Sequence, residues 1–192
     1  MLEKELLPVR TTWKHLLGIP YDFKAGPLED QELAMSGGRV RSANCQRAVQ
    51  LWYADHGIFL YPEHVLSQES FYSGGALIQD SPHGRYLTKE NLKDLPYGAV
   101  IFSSSNRGYR RNDNGYSWEQ LLHMSVYVGQ AHRLPSQLLN GFDGSITDHL
   151  VFHATPWMKA GGQIALWTLD QLYKYYTPIR VRHLAPVKTY RQ

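Results

Sequence analysis

A change in hydrophobic period divides the sequence into two parts. From Ser42 to Gly57, apolar residues recur at helical spacing and form one stripe that includes Cys45, Ala48, Val49 and Trp52. From Gly98 onward, short apolar runs alternate with polar residues, as strands with one buried face do. Helices that come first and strands that follow predict an α+β domain with a largely antiparallel sheet.

The expected helices lie in the first part of the chain. The pattern predicts short helices at Thr12–Leu17 and Leu28–Met35, and a longer one that begins near Cys45. Ser42 or Asn44 can cap its start, and Gly57 followed by an isoleucine suits a left-handed end. The expected strands are Gly98–Ser104, Leu122–Gly129, Asp148–Thr155, Gly161–Leu169 and Ile179–Leu184, with a short helix at Asp170–Tyr176 before the last.

Two connections between these strands are long. Ser103–Trp118 and Gln130–Ser145 exceed the usual hairpin length, which is typical either of binding loops or of disordered segments. Arg107, Arg110 and Arg111 in the first loop could pair with a substrate carboxylate, or simply be solvated.

Composition predicts one globular body. The chain has 192 residues with 43% hydrophobic and 19% charged residues, which excludes a disordered chain. The net charge of +3 is too small to indicate a nucleic-acid partner. No linker divides the sequence, so we expect residues 1–26 to be an extension packed on a domain at 27–192. No stretch has the length of a membrane span or the apolar core of a signal peptide. We therefore expect a soluble protein that is either cytoplasmic or exported with its leader removed or by another route.

Cys45 is the only cysteine, so no internal disulfide can form. In the first turn of a helix, its sulfur would face backbone N–H groups and the positive end of the helix dipole, which favour the thiolate nucleophile. The alternative is that a lone cysteine is a small buried apolar side chain.

Two strand histidines suit such a nucleophile. His123 lies on a predicted strand, where it can be aimed at a thiol as its general base. His153, on the next predicted strand, can orient that base. Alternatively, His149 and His153 could bind zinc, which would need a third ligand nearby.

These segments, taken in order, resemble the NlpC/P60 superfamily of papain-like cysteine peptidases, which is found in bacterial cell-wall metabolism. The resemblance runs from Gly18 to Thr155, through GIPYDFKAG, NCQRAVQLWYADHGIFL, LKDLPYGAVIFSS, HMSVYVG and HLVFHAT. In that family a P-Y-x-x-G segment precedes a D-C-S-G helix, followed by an L-x-x-G-D-L-x-F-F strand, an H-V-G-I-Y-x-G strand and a strand with I-H-A. The resemblance implies a papain-like fold, in which N-terminal helices pack on a central antiparallel sheet.

The resemblance also assigns roles to individual residues. It implies Cys45 as nucleophile, His123 as base and His153 as the orienting residue. The positions that it suggests for substrate contact are Tyr21, Asn44 and Ser125, to which we add Arg107 from the loop. Asn44 replaces the family's aspartate, which helps to recognise a free amino end, and Gln46 and Arg47 replace its Ser-Gly.

The function implied is hydrolysis of an amide bond in a peptidoglycan stem peptide or a related γ-glutamyl peptide. No metal or organic cofactor is expected, and the expected partner is a peptide or cell-wall fragment. A thioester-forming acyltransferase or lipid amidase of the same superfamily is the alternative enzyme. A papain-like binding module that has lost catalysis is the alternative from another class.

Overall fold

The computed structural model describes residues 12–29, 32, 40–60, 78–80, 89–105, 123–140, 142–157 and 162–184. Besides the helical residue Glu32, these ranges contain the α-helices α1 (Cys45–Asp55), α2 (Lys89–Lys93) and α3 (Leu169–Tyr175). The strands are β1 (Ile78–Asp80), β2 (Val100–Ser105), β3 (His123–Gln130), β4 (His149–Thr155), β5 (Gln163–Thr168) and β6 (Tyr176–Leu184). The predicted helix at Leu28–Met35 lies largely outside the described residues.

One antiparallel sheet organises the described chain. Its six strands run in the order β1-β6-β2-β3-β4-β5, and each neighbouring pair is antiparallel. The predicted α+β class with an antiparallel sheet is therefore confirmed. All five predicted strands are present with shifted ends, and the short strand β1 is an addition that pairs with β6.

The sheet has a buried core on each face. On one face, α1 and a short 3-10 helix at Thr12–Leu16 pack against β3 and β4 through large side chains such as Trp13, Trp52 and Phe152. On the other face, α3 and α2 cover the sheet through Leu172, Trp167 and Leu92. Alternation along the strands explains both cores, because Val126 and Phe152 point to α1 while Tyr127 and Val151 point to α3.

Helix α1 ends as its sequence predicts. Gly57 has a φ of 78°, and its N–H donates to the Ala54 carbonyl, while the Ile58 N–H donates to the Tyr53 carbonyl. This pair of bonds is the Schellman arrangement, which needs a residue free of a Cβ at the left-handed position. The helix therefore has a fixed length, which fixes where Cys45 stands at its other end.

An N-terminal strap at Gly18–Asp22 runs along the outer strand β5. The Gly18 and Tyr21 N–H groups donate to the Ile164 and Gly162 carbonyls, and the Ile164 N–H donates back to Ile19. On its other side, the strap exchanges bonds with Ala43, two residues before Cys45. The strap therefore joins the sheet edge to the start of α1.

Candidate functional site

The start of α1 is held by polar contacts on both sides. Asn44 is the N-cap, and its side-chain oxygen accepts the Arg47 N–H at 2.9 Å. The Arg47 guanidinium donates in turn to the carbonyls of Gly26, at 2.7 Å, and Ser42, at 3.2 Å. Asn44 and Arg47, which replace residues of the family's D-C-S-G motif, thus fix the first turn of the helix and with it the position of Cys45.

The Cys45 sulfur lies against the first residues of β3. Backbone N–H groups of Met124, Gln46 and Cys45 itself hydrogen-bond to the sulfur, and each lowers the pKa of the thiol. Burial acts in the opposite direction and is the larger effect, so the pKa of Cys45 is raised. The expectation that the helix start makes Cys45 a resting thiolate is therefore not met, because desolvation outweighs the N–H groups.

His123 and His153 form a buried pair. His123 Nε2 and His153 Nδ1 are 2.7 Å apart, and the two rings meet at 79°. Burial lowers the pKa of His123 to about 3, and it lowers the pKa of His153, which His123 lowers further. Both imidazoles are therefore neutral near pH 7, and one donates its N–H to the other.

The pair lies where the ladder between β3 and β4 stops. Registered partners run from Gln130 and His149 to Val126 and Phe152, and the two histidines lie beyond that last pair. Beyond the last registered pair, the hydrogen bond between the His123 and His153 side chains links β3 to β4. The Met124 N–H that meets the thiol belongs to the same stretch of β3, directly after His123. The structure thus places the predicted nucleophile beside the residue that follows the predicted base.

Two tyrosines complete the surroundings of the thiol. The Tyr176 ring stacks on His123, with 3.9 Å between centroids and 12° between planes. Tyr21, on the N-terminal strap, is half-buried, and burial raises the pKa of its hydroxyl to about 12, with further contributions from Cys45 and Tyr176. Cys45 also raises the pKa of Tyr176, so both tyrosine hydroxyls are within electrostatic range of the thiol. Sequence reasoning identified Tyr21 but missed Tyr176, which follows the last helix and lies beyond the quoted family segments.

Two further residues were predicted to contact substrate. Ser125 is fully buried in the sheet, two residues after His123 on β3, and its role in substrate contact stays a prediction. Arg107 and its loop fall outside the described residues.

The zinc alternative is not supported by the positions of its two histidines. His149 and His153 are four strand positions apart, about 13 Å, too far to share one ion. His149 instead bonds to Tyr127 and Gln130. Within the described ranges, no group of three or more His, Cys, Asp or Glu side chains could hold a metal ion.

A cleft of about 300 Å³ opens at the β5 edge of the sheet. Its lining combines apolar and polar side chains, among them Leu17, Phe142, Asn140, Asp143, Gln163 and Trp167. Cys45, His123 and Tyr21 do not line this cleft. The cleft and the thiol site are therefore separate features of the described chain.

In the described part of the chain, no helix combines the length and apolar character that a lipid bilayer requires. In comparisons with known proteins, the chain matches no family model, no curated protein and no solved structure.

Proposed function

We propose that the protein is a papain-like cysteine hydrolase of the NlpC/P60 kind, which cleaves an amide bond in a peptidoglycan stem peptide or a related γ-glutamyl peptide. One observation carries the proposal. His123, which is hydrogen-bonded to His153, directly precedes Met124 on β3, and the Met124 N–H hydrogen-bonds to the Cys45 sulfur. A thiol, a base and a group that orients the base are the three components of nucleophilic amide cleavage.

The ring nitrogens of His123 have separate tasks in this mechanism. Nε2 is engaged by His153, so in the proposed mechanism Nδ1 is the nitrogen that accepts the thiol proton. A free Nδ1 lone pair requires that Nε2 carry the proton and donate it to His153 Nδ1. His153 is then protonated at Nε2, an atom that is buried without a hydrogen-bond partner in the described structure; the His153 ring meets Trp167 at 68°.

Because thiol and imidazole both rest in their neutral forms, proton transfer accompanies attack. His123 takes the Cys45 proton as the sulfur bonds to the amide carbonyl carbon. The Cys45 N–H, which hydrogen-bonds to the sulfur in the resting site, becomes the donor to the developing oxyanion once the sulfur has bonded to carbon. The amine leaves with the proton from His123, and water then hydrolyses the thioester, returning the proton through His123 to the thiol.

The strap supplies features that suit a peptide substrate. Asn44 cannot provide the negative charge with which the family holds a free amino end. Asp22, next to Tyr21 on the strap, carries a carboxylate that is close enough to raise the pKa of the Tyr21 hydroxyl. A free substrate amine would be attracted to this carboxylate. Blocking that amine by acetylation should therefore weaken turnover.

The test is hydrolysis of purified muropeptides and γ-glutamyl dipeptides, with products read by mass spectrometry. We expect cleavage by the wild type, an acyl adduct on Cys45 in the intact mass, and loss of both in Cys45→Ala. His123→Ala should also lose cleavage. The matched control is His132→Ala, which removes an exposed histidine and should keep full activity.

Two results would contradict the proposal. The first is an absence of cleavage and of any acyl adduct with all of these amides. The second is an iodoacetamide labelling rate for Cys45 that His123→Ala leaves unchanged. The labelling is unambiguous because the chain has a single cysteine. Together these results would favour the binding-module alternative, which the burial of Cys45 also suits.

A further inference from the structure

The buried base poses a problem of charge. When His123 takes the thiol proton, an imidazolium forms in a place where burial lowers the pKa of that ring to about 3. The titratable groups in contact with it are His153 on β4 and Tyr176 on β6, and Cys45 on α1 and Tyr21 on the strap interact electrostatically with Tyr176 or with each other. In the described structure, burial is the cause that acts on the His123 pKa, and no carboxylate contributes.

Tyr176 is the group whose geometry suits that charge. Its ring lies face to face with the His123 imidazole at 3.9 Å between centroids. The face of an aromatic ring is electron-rich and attracts a cation held within about 6 Å of its centre. A neutral imidazole gains much less from the same contact, so the attraction grows as the proton arrives.

The position of Tyr176 is held independently of His123. Tyr176 begins β6, its residue pairs with Ser105 of β2, and its side chain is 4% exposed. Its hydroxyl lies 3.3 Å from the Thr155 side-chain oxygen at the end of β4. The ring is therefore fixed by the sheet before any proton moves, which is what a preorganised stabilising group needs.

We propose that Tyr176 is a positioning residue of the thiol site, whose ring face stabilises the protonated form of His123 during attack by Cys45. The inference rests on the proposed function. It extends the site to the C-terminal part of the sheet, beyond the segments that resemble the NlpC/P60 family.

The experiment compares ring variants at position 176 in the full-length chain. The rate of iodoacetamide labelling of Cys45 is measured across the pH range, together with amide cleavage. Tyr176→Phe keeps the electron-rich ring and should stay within about twofold of the wild type. Tyr176→Leu removes the ring and should lower both rates at pH 7 about fivefold. Pentafluorophenylalanine at position 176 keeps the ring shape but makes its face electron-poor, and it should show the same loss even where Tyr176→Leu folds poorly. The pH at which Cys45 labelling reaches half of its maximal rate should rise in the leucine and pentafluorophenylalanine variants.

The outcomes separate this inference from the function on which it rests. A wild-type labelling rate that does not depend on His123 overturns both. A His123-dependent rate that is equal in the phenylalanine and pentafluorophenylalanine variants overturns the role of the ring face, because only packing would then matter. A loss in Tyr176→Phe as large as in the fluorinated variant assigns the effect to the hydroxyl and also overturns it. A loss confined to the leucine and fluorinated variants supports it.

Discussion

The buried histidine pair should make the fold sensitive to acid. The pKa of His123 is about 3 in the folded protein, against an ordinary value of 6.5. Below pH 6.5 the unfolded chain takes up a proton on this ring, whereas the folded chain keeps the ring neutral until about pH 3. Because the unfolded state binds more protons in this window, the free energy of unfolding falls as the pH falls through it.

The size of the effect follows from these two pKa values. One pKa unit corresponds to about 1.4 kcal/mol, so His123 alone should lower the free energy of unfolding by about 2–3 kcal/mol between pH 7.5 and pH 4.5. His153, whose pKa is also lowered, acts in the same direction. A typical domain has only about 5–15 kcal/mol of stability, so the loss should be easy to measure.

The assay is urea unfolding followed by tryptophan fluorescence at pH 7.5 and pH 4.5. Between these two pH values, the wild type should lose about 2 kcal/mol more than His123→Gln, which has no imidazole at this site. His132→Gln, at an exposed position, should lose as much as the wild type. Carboxylates elsewhere change all three proteins alike, so the difference isolates His123. Equal losses in the wild type and His123→Gln would refute the reasoning, since they would mean that this imidazole is not held neutral by burial.

Three further predictions concern the helix that carries Cys45, each measured as a change in the free energy of urea unfolding. Asn44→Ala removes the cap on Arg47 and should cost about 1 kcal/mol, whereas Asn44→Asp keeps an acceptor and should cost less; equal costs would argue against the cap. Gly57→Ala should cost about 1–2 kcal/mol, because alanine is strained at this left-handed φ although the space around it is open. Gly26→Ala is the control, since Gly26 has similar free space without a left-handed φ. An unchanged free energy of unfolding in Gly57→Ala would argue against the left-handed helix end. Tyr53→Phe leaves the buried Gly98 carbonyl without its hydroxyl donor and should cost about 1–3 kcal/mol, and no change would mean that water replaces the donor.

The sequence predicted the parts of the fold that rest on local pattern. Helix α1 was predicted with its start, its cap and its left-handed end because each depends on residues within a few positions. The strands that alternate were found for the same reason. β1 was missed because three residues carry no usable period, and its pairing partner in β6 is about a hundred residues away. The five-residue helix α2 is likewise shorter than two turns.

The candidate site likewise has parts that the sequence predicts and parts that depend on the whole fold. The positions of Cys45 on a helix start and of His123 and His153 on neighbouring strands follow from periodicity and order. The protonation of the thiol does not, because burial depends on the whole fold and here exceeds the effect of the helix start. Tyr176 reaches His123 only through the pairing of β6 with β2, so no local signal marks it.

The N-terminal strap has a consequence for anyone who shortens the chain. A version beginning at residue 27 would uncover the backbone groups of Ile164 in β5 and of Gly162 just before it, which now hydrogen-bond to the strap. A bare outer strand pairs readily with a neighbouring molecule, so the trimmed protein should tend to self-associate. The same cut would take the Tyr21 hydroxyl away from the thiol. The deletion of residues 1–26 should therefore cause self-association and lower activity at the thiol site together.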